Sequence, residues 1–315
     1  MRSYRAHFLA AALSMVIWSA SFVATKYVYQ SMAPFTTGLV RFACAAALFM
    51  LVKFVFARIK GSSRSSEGAA GGGQGALFQL FGFDRETLKL VALSGFLGIT
   101  CYFGFENIGV KYTSATNCSL IVASFPALTA FLEFLVYRKR PTVVQVAGMA
   151  LAFIGVAVIV ASASGPVEPG RNELAGVVFL MAAGVAWAFY NFIVRKVSAE
   201  VSSFDLSAVQ SVFGALLFVP LALVDANQTQ QLGPDSALAL LFLVVGCSFA
   251  AYILYNWGLE GISAATAVSL LNLIPVLGVV FGALVLGESV SLQQVVGGAV
   301  VLFGIYLGSR EPEGG

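Results

Sequence analysis

The chain has little of what metalloproteins and soluble enzymes use. Only 10% of its 315 residues are charged, and His7 is its single histidine. One imidazole argues against a histidine-based metal site and against a serine–histidine hydrolase. The four cysteines fall within apolar runs and lack the spacing of metal ligands, so we interpret them as free thiols. We therefore expect no metal, no cofactor and no catalytic residues.

Two further features argue against nucleotide binding and against nucleic-acid binding. The Gly/Ser-rich stretch at 61–76 is not followed by Gly-Lys-Ser/Thr, so it is predicted to be a flexible linker and not a nucleotide-binding loop. The net charge of +3 is small, and its basic residues collect on one side of the predicted membrane. This distribution indicates topology, so nucleic acid is not expected as a partner.

What the chain has in excess is apolar sequence. It is 59% hydrophobic with a mean hydropathy of +0.89, whereas soluble domains are about 45–50% apolar and about 25% charged. A spanning helix needs about 20 apolar residues, and a segment in lipid must satisfy its own backbone groups, which favours helices. The predicted spans are 7–28, 34–57, 88–110, 114–136, 142–162, 174–195, 205–224, 236–257, 264–286 and 291–309.

The basic residues predict the orientation of these spans. With a cytoplasmic N-terminus, fourteen of the eighteen Lys and Arg residues lie on the cytoplasmic side. Cytoplasmic loops are enriched in these residues. We therefore expect a multi-pass protein of the cell (inner or plasma) membrane, with both termini in the cytoplasm and the lipid bilayer around it.

The two halves of the chain resemble each other. A shift of 149 residues gives thirteen identities over 107–155, among them Pro126 with Pro275. Nearer the start a shift of 169 pairs Trp18 with Trp187, and the difference of 20 (169 − 149) is absorbed by the longer loop of the first half. We predict a first repeat at 1–165, with a flexible cytoplasmic loop near 58–86, and a second repeat at 166–315.

Five spans in each repeat is an odd number, so the second repeat enters the membrane with opposite polarity. Inverted repeats place a substrate site near the midplane, between halves that rock around it. The sequence therefore predicts an all-α integral membrane fold, with ten transmembrane helices as two inverted five-helix repeats around a central cavity. A duplicated structural membrane protein without transport is the alternative.

Several motifs resemble one family. WSASFVATK at 18–26, Arg41-Phe42, KYTSA at 111–115, and the run from Pro275 through LGE at 286–288 are similar to the repeats of EamA-type members of the drug/metabolite transporter superfamily. YRKR at 137–140 departs from the LGE-like turn of that pattern. The resemblance covers nearly the whole chain and implies ten helices, a central cavity and alternating access. It does not name a substrate.

Polar and aromatic side chains at helical spacing indicate which faces line the cavity. Lipid-facing surfaces are normally aliphatic, and polar stripes at membrane depth more often face protein or a cavity. Helix contacts and interfacial aromatic belts are the alternative explanation. The candidate residues in spans 1, 3, 6 and 8 are Trp18, Phe22, Tyr102, Phe103, Glu106, Trp187, Tyr190, Asn191, Tyr252 and Asn256.

Spans 4 and 9 contribute further candidates. Asn117 in span 4, and Ser269 and Asn272 in span 9, share their spans with prolines. Proline removes a helix hydrogen bond and can expose carbonyl groups. This pattern is typical of a binding site or a hinge, and equally of a fixed kink.

Charged residues within the spans are the strongest candidates for a gate or a binding site. Glu106 and Arg41 lie a turn or two inside the outer boundary, and Lys26 lies near it. An unpaired ion there costs on the order of a few kcal/mol, so we expect Glu106 to pair with Lys26 or Arg41, or to protonate. The pair is interpreted either as a permanent salt bridge or as an outer gate, with Glu106 able to bind a proton or a substrate amine.

These observations favour a secondary transporter of a small organic metabolite, such as an amino acid or a similar amphiphilic solute. Export is taken from the breadth of the family alone. A channel or facilitator is the alternative, and an intramembrane enzyme fits less well because acid, base and metal-ligand residues are scarce. The expected partner is a small-molecule substrate. A coupling proton, and the choice between monomer and homodimer, stay open.

Overall fold

A computed structural model describes residues 2–61, 81, 83–138, 142–161, 172–197, 201–228, 230–259, 261, 270–271 and 273–308. Within these ranges the chain is helical and contains no strand. They hold seven helices that are long and apolar enough to cross a membrane, and three shorter apolar helices. The predicted all-α membrane fold with ten apolar segments is confirmed.

Nine of the ten segments follow the predicted spans closely, and the ninth in chain order, predicted from residue 264, begins at Leu273 in its described part. Four of the ten are composite. α1 comprises Arg2–Ser19 and Ser21–Val28, α3 comprises Arg85–Gly95, Phe96–Cys101 and Tyr102–Tyr112, and α8 comprises Pro234–Leu241, Phe242–Ala250 and Ala251–Leu259. α4 comprises Ala115–Val122 and Phe125–Tyr137. The others are α2 (Pro34–Gly61), α5 (Val143–Ala161), α6 (Glu173–Val197), α7 (Ser203–Asp225), α9 (Leu273–Leu286) and α10 (Leu292–Gly308).

The repeat is visible in how the last helix of each half begins. At α5, the Thr142 amide donates to Gln145 Oε1 and the Gln145 amide donates to Thr142 Oγ1, at 2.9 and 3.2 Å. At α10, Ser291 and Gln294 form the same reciprocal pair, at 2.8 and 3.2 Å. Each pair satisfies two backbone donors that a helix start leaves unbonded. Both pairs are related by the shift of 149 residues seen in the sequence.

α2 and α7, the second helices of the two halves, run in opposite directions against each other. Lys53 near the end of α2 contacts Asp205 near the start of α7, with Nζ and Oδ1 2.5 Å apart. At the other end, the amide of Phe35 donates to Asp225 Oδ2 over 2.6 Å. Residue numbers rise along one helix as they fall along the other, so equivalent helices are antiparallel.

α4 and α9 repeat this arrangement. A Cβ placed on Gly278 would lie 2.4 Å from the Cβ of Ser119, and one on Gly282 would lie 2.6 Å from Thr116 Oγ1. The higher-numbered residue of α9 therefore meets the lower-numbered residue of α4. Glycine allows this close antiparallel approach because it has no side chain.

The backbones of α5 and α10 lie very close to each other. A Cβ on Gly155 would lie 2.8 Å from the amide nitrogen of Val301, and one on Gly304 would lie 2.6 Å from the amide nitrogen of Ala152. Adding 149 to 155 gives 304, and subtracting 149 from 301 gives 152. The two contacts are thus one contact repeated by the pseudo-twofold relation between the halves.

The remaining helices obey the same relation. α1 packs against α8, and α3 packs against α6. Exchange of the two halves converts one of these pairs into the other. The two five-helix halves are therefore inverted relative to each other, as the odd number of spans predicts, whereas the domain boundary at 165/166 stays a prediction because it lies outside the described residues.

The two faces of the bundle are defined by the helix ends that they contain. The predicted outer face is the one at which α1 ends and α2 begins. The predicted cytoplasmic face is the opposite one, where α6 ends and α7 begins.

Gly304→Ala is expected to destabilise the fold because the new methyl group meets backbone atoms of α5 that cannot turn aside. Overfilling of a close contact costs about 1–3 kcal/mol. Gly233→Ala is the matched control, since a Cβ there meets nothing within 4 Å. Thermal unfolding of both purified variants in detergent measures the difference, and equal melting temperatures would contradict the assigned α5–α10 contact.

Candidate functional site

Two tryptophans that the repeat makes equivalent pack on aromatic rings of the third helix of the other half. The ring centroid of Trp18 in α1 lies 5.3 Å from that of Tyr252 in α8. Trp187 in α6 lies 5.2 Å from Tyr102 in α3 and 4.9 Å from Tyr190 in its own helix. The structure therefore brings together the predicted aromatic residues of spans 1 and 8, and those of spans 3 and 6.

A small cavity lies between α2, α3, α6, α7 and α8. Its walls combine aromatic rings with hydroxyl and carboxamide groups, and they are formed by Phe42, Phe49, Gly98, Ile99, Tyr190, Ser207, Gln210, Ser211, Ser248 and Tyr252. Of the residues predicted from the sequence, Tyr190 and Tyr252 are in this lining. An apolar wall with a few polar groups is the lining typical of sites for small organic ligands, and the space that it encloses in this conformation holds about one water molecule.

The polar residues of α7 were missed by the sequence analysis. Ser207, Gln210 and Ser211 line the cavity, and their spacing of i, i+3 and i+4 places them on one helix face. That spacing within an apolar span is the signal that identifies them. The sequence analysis passed over α7 because this helix has neither a tryptophan nor a charge at membrane depth.

The cavity is bordered by two unusual helical segments. Phe96–Cys101 in α3 and Phe242–Ala250 in α8 are π-helical, and their last residues are related by the shift of 149. π-Helical turns are rare and frequently occur at functional sites, because they widen the helix and redirect side chains and carbonyl groups. Here the Trp18 indole donates to the Cys247 carbonyl oxygen over 3.0 Å.

Two buried polar side chains cross between the halves near the cavity. Arg41 Nε in α2 donates to Ser248 Oγ in α8 over 2.7 Å. Gln210 Nε2 in α7 donates to Ser94 Oγ in α3 over 2.8 Å. Arg41 and Gln210 are equivalent by the shift of 169, so each half sends one long polar side chain to a serine of the other half.

Arg41 is 4% exposed and is stabilised by aromatic rings as well as by Ser248. Its guanidinium carbon lies 4.6 Å from the ring centroid of Phe103 and 5.3 Å from that of Phe42. A desolvated cation over an aromatic face gains about 2 kcal/mol. Seven residues separate Arg41 from the start of α2, which places it about 10 Å inside the predicted outer face.

Glu106 is 8% exposed and accepts a hydrogen bond at Oε1 from the Tyr102 hydroxyl, over 2.8 Å. In this structure Glu106 and Arg41 do not form an ion pair with each other, since the ion pairs among the described residues are Lys53–Asp205 and Lys89–Glu86. Both charges nevertheless lie at the same part of α3, because Arg41 lies over the ring of Phe103 and Glu106 follows Phe103 by three residues. Lys26 lies half-buried in the last turn of α1.

The predicted outer face is closed by a carboxylate at the start of α2. Asp225, at the end of α7, accepts from the amides of Phe35 and Thr36 over 2.6 and 3.1 Å, and from Thr36 Oγ1 over 2.7 Å. A helix N-terminus leaves amide groups unbonded and carries positive partial charge. The second half thereby caps a helix of the first half.

A second carboxylate does the same at the start of α4. Glu288, which follows α9, accepts from the amides of Ala115 and Thr116 over 2.9 Å each. Further hydrogen bonds join neighbouring helices at this face. Tyr29 donates to the Asn107 carbonyl oxygen over 2.8 Å, and Asn107 Nδ2 donates to the Pro34 carbonyl oxygen over 3.0 Å.

Of the predicted site residues outside the cavity lining, three have contacts elsewhere in the bundle. Phe22 is in an apolar core to which α1, α3, α4, α5, α6 and α10 contribute. Asn117 belongs to the predicted outer face, where it donates to Glu173 over 3.1 Å and accepts from Gln294 over 2.7 Å. Asn191 donates to the Trp187 carbonyl oxygen of its own helix over 2.8 Å.

Three other predicted site residues cannot be placed from the described part of the chain. Ser269 and Asn272 lie outside the described residues, and the side chain of Asn256 does as well. Their proposed contribution to the cavity stays a prediction.

The comparisons with known proteins agree with this architecture. The model of the EamA-like transporter family matches residues 6–161 and 174–310. An uncharacterized transporter from Archaeoglobus fulgidus is 27% identical over 302 residues, with 95% of this chain and 97% of the relative covered. The uncharacterized transporter YyaM of Bacillus subtilis is 26% identical, with 93% and 90% covered. A solved crystal structure is similar in fold, with a TM-score of 0.62 at 17% identity and 96% of this chain and 97% of that chain covered.

Asp225→Asn is expected to lower the free energy of unfolding by about 1–3 kcal/mol, because the buried amides of α2 lose a charged acceptor. Asp235→Asn, an exposed residue near the start of α8, is the matched control. Thermal unfolding of both variants measures the effect. An Asp225→Asn variant as stable as the control would show that this carboxylate does not hold the predicted outer face together.

Proposed function

The chain belongs to the EamA-like transporter family, and we propose that it moves a small organic metabolite across the cell membrane by alternating access, in the direction of export. The proposed solute is an amino acid or a similar amphiphilic molecule. Both termini are proposed to face the cytoplasm, as the distribution of basic residues predicts. The chain is a multi-pass membrane protein by its family and its apolar helices.

One observation carries this proposal. A cavity lined by aromatic rings and hydroxyl groups lies between two inverted halves. At the predicted outer face, carboxylates of the second half accept hydrogen bonds from the first amides of α2 and α4 in the first half. The bonds at this face are reversible contacts between elements of different halves. Rocking of one half against the other would break them and open the cavity to the opposite compartment.

Near the predicted cytoplasmic face, the two halves are joined by a different contact. The Lys53–Asp205 ion pair links α2 to α7 near the predicted cytoplasmic face, and Lys53 Nζ also lies 3.7 Å from the ring centroid of Phe81. Both side chains of the ion pair are about a fifth to a quarter exposed. Such partly exposed pairs contribute about 0–1 kcal/mol, which is less than the roughly 1–3 kcal/mol at stake when a buried donor loses its charged acceptor.

A counterflow assay separates this proposal from a channel or facilitator. Purified protein is reconstituted in liposomes loaded with an unlabelled amino acid, amphiphilic amine or nucleobase, and uptake of the same labelled compound is followed. A carrier that alternates between compartments accumulates the label transiently above its equilibrium level. A pore lets both pools equilibrate, and it gives no overshoot.

Ser211→Phe, which fills the cavity, is expected to reduce counterflow by about tenfold or more, because a packed site excludes the solute. Ser203→Phe, at the exposed start of the same helix, is the matched control and should transport normally. The proposal is wrong if label only equilibrates, or if no compound of the panel is exchanged by the folded protein.

A further inference from the structure

We infer that His7 forms a pH-sensitive contact between the two halves, and that its protonated form holds the predicted cytoplasmic face closed. His7 lies near the start of α1 and contacts the end of α8. This inference goes beyond the proposed function because it assigns a regulator to one face of the protein. It rests on the proposed alternation between the two faces, although its first measurement needs no transported solute.

Three contacts join His7 of the first half to the second half. Its Nδ1 lies 2.7 Å from the carbonyl oxygen of Trp257, and the centroids of the two rings are 4.6 Å apart. A Cβ placed on Gly258 would lie 2.9 Å from the His7 carbonyl oxygen, and one on Gly261 would overlap the His7 ring. The imidazole is therefore packed closely where α1 meets the end of α8.

The partner atom fixes the position of one proton on the imidazole. A carbonyl oxygen only accepts hydrogen bonds, so Nδ1 of His7 must carry the hydrogen that it donates to Trp257. Protonation adds a second hydrogen at Nε2 and gives the ring a positive charge. The bond to Trp257 is then charge-assisted, which makes it stronger. His7 is partly exposed, so water can supply and remove this proton.

The surroundings of His7 favour the charged ring. Trp257 lies in the last turn of α8, where carbonyl groups lack a partner within the helix and carry negative partial charge. The Trp257 ring is also within about 6 Å, the distance at which a cation is attracted to an aromatic face. Each of these interactions gains from protonation. The contact is therefore strongest at low pH and weakens as the pH rises.

The titratable and charged neighbours of His7 do not account for such a response. They are Tyr4 and Arg5 on α1 and Tyr255 on α8, while Glu260 lies outside the described residues and the described part of α9 has no titratable residue. Tyrosine, arginine and glutamate ordinarily keep one protonation state between about pH 5 and pH 8. Histidine ordinarily changes its charge in this range, and His7 is the single histidine of the chain.

The repeat contains the same contact at the predicted outer face without an imidazole. His7 and Gly258 correspond to Gly176 (7 + 169) and Gly109 (258 − 149). A Cβ on Gly109 would lie 3.2 Å from the Gly176 carbonyl oxygen, which matches the distance of 2.9 Å between a Cβ on Gly258 and the His7 carbonyl oxygen. Gly176 has no side chain to titrate. Protonation of His7 therefore strengthens one of two equivalent contacts, and the pH response is confined to one face.

The test uses a cysteine placed behind the His7 contact. Ser14 is fully buried and lies seven residues after His7 on the same face of α1, a rise of about 10 Å. The four native cysteines are replaced by alanine and Ser14→Cys is introduced. Its reaction with a membrane-impermeant maleimide is measured in inverted vesicles, which expose the predicted cytoplasmic face, at about pH 5 and about pH 8.

Each labelling rate is divided by the rate of the same protein with His7→Gln at the same pH, which cancels the effect of pH on the maleimide reaction. We expect this ratio to be about threefold to tenfold lower at the acidic pH, because the charged ring holds the contact closed. A ratio that is equal at both pH values, or higher at the acidic pH, overturns the inference.

Two further variants separate titration from packing. His7→Phe keeps a ring against Trp257 but cannot gain a proton, so its ratio should be the same at both pH values. Arg5→Gln removes an exposed charge two residues away, and it should keep the full pH response. A purely structural role for His7 would leave the pH response in His7→Phe, and that result would also overturn the inference.

A second reporter separates this inference from the proposed function. Cys118 is buried near the predicted outer face, and in an alternating protein it should react faster from that side when the predicted cytoplasmic side is acidified, because closing one face favours the state open at the other. A response of Ser14→Cys without a change at Cys118 supports the His7 contact and contradicts the proposed alternation. Without a response of Ser14→Cys, the His7 contact is wrong even if counterflow is observed.

Discussion

Close antiparallel contact between equivalent helices is the constraint on which the other features depend. At Gly155 and Gly304 the backbones of α5 and α10 approach so closely that a single methyl group would meet an amide nitrogen below 3 Å. In lipid, helices gain little from hydrophobic burial against each other, so close van der Waals contact of small residues must hold them. The same antiparallel relation for α2 with α7 and α4 with α9 fixes the inverted halves, and the inversion places a cavity between them.

The pseudo-twofold relation makes the differences between the two faces informative. Gly287 and Arg138 occupy equivalent positions after α9 and α4, and both adopt left-handed backbone conformations, with φ of +67° and +54°. The residue that follows is Glu288 in one half and Lys139 in the other. A carboxylate at this position caps a helix start, and an ammonium group has no acceptor to offer. Asp225 is likewise equivalent to Phe56 by the shift of 169. Glu288 and Asp225 of the second half therefore cap helix starts at the predicted outer face, whereas Lys139 and Phe56, the equivalent residues of the first half, have no carboxylate with which to form such caps.

The sequence predicted the architecture well because the relevant signals are periodic and summed over many residues. Apolar runs defined ten helices, and the match of Trp18 with Trp187 implied halves of equal design. The site was predicted less completely. Tryptophans and charged residues are easily recognised in an apolar helix, whereas Ser207, Gln210 and Ser211 are recognised as a group only from their spacing on one helix face. The π-helical turns of α3 and α8 have no sequence signal that we recognise. Individual partners, such as Ser248 for Arg41, depend on rotation and register between helices, which composition does not encode.

The central claim, that the two halves separate at the predicted outer face to admit or release solute, is tested most directly through Cys118. This thiol is buried one turn inside α4, behind the cap formed by Glu288. With the other three cysteines replaced by alanine, its reaction with a membrane-impermeant maleimide is measured in intact cells. Loss of about 1–2 kcal/mol of closing energy shifts an equilibrium about 5- to 30-fold. The account predicts slow labelling of this single-cysteine protein, labelling faster by that factor in Glu288→Gln, and no change in the exposed control Glu86→Gln. Equal labelling rates in all three proteins would contradict it.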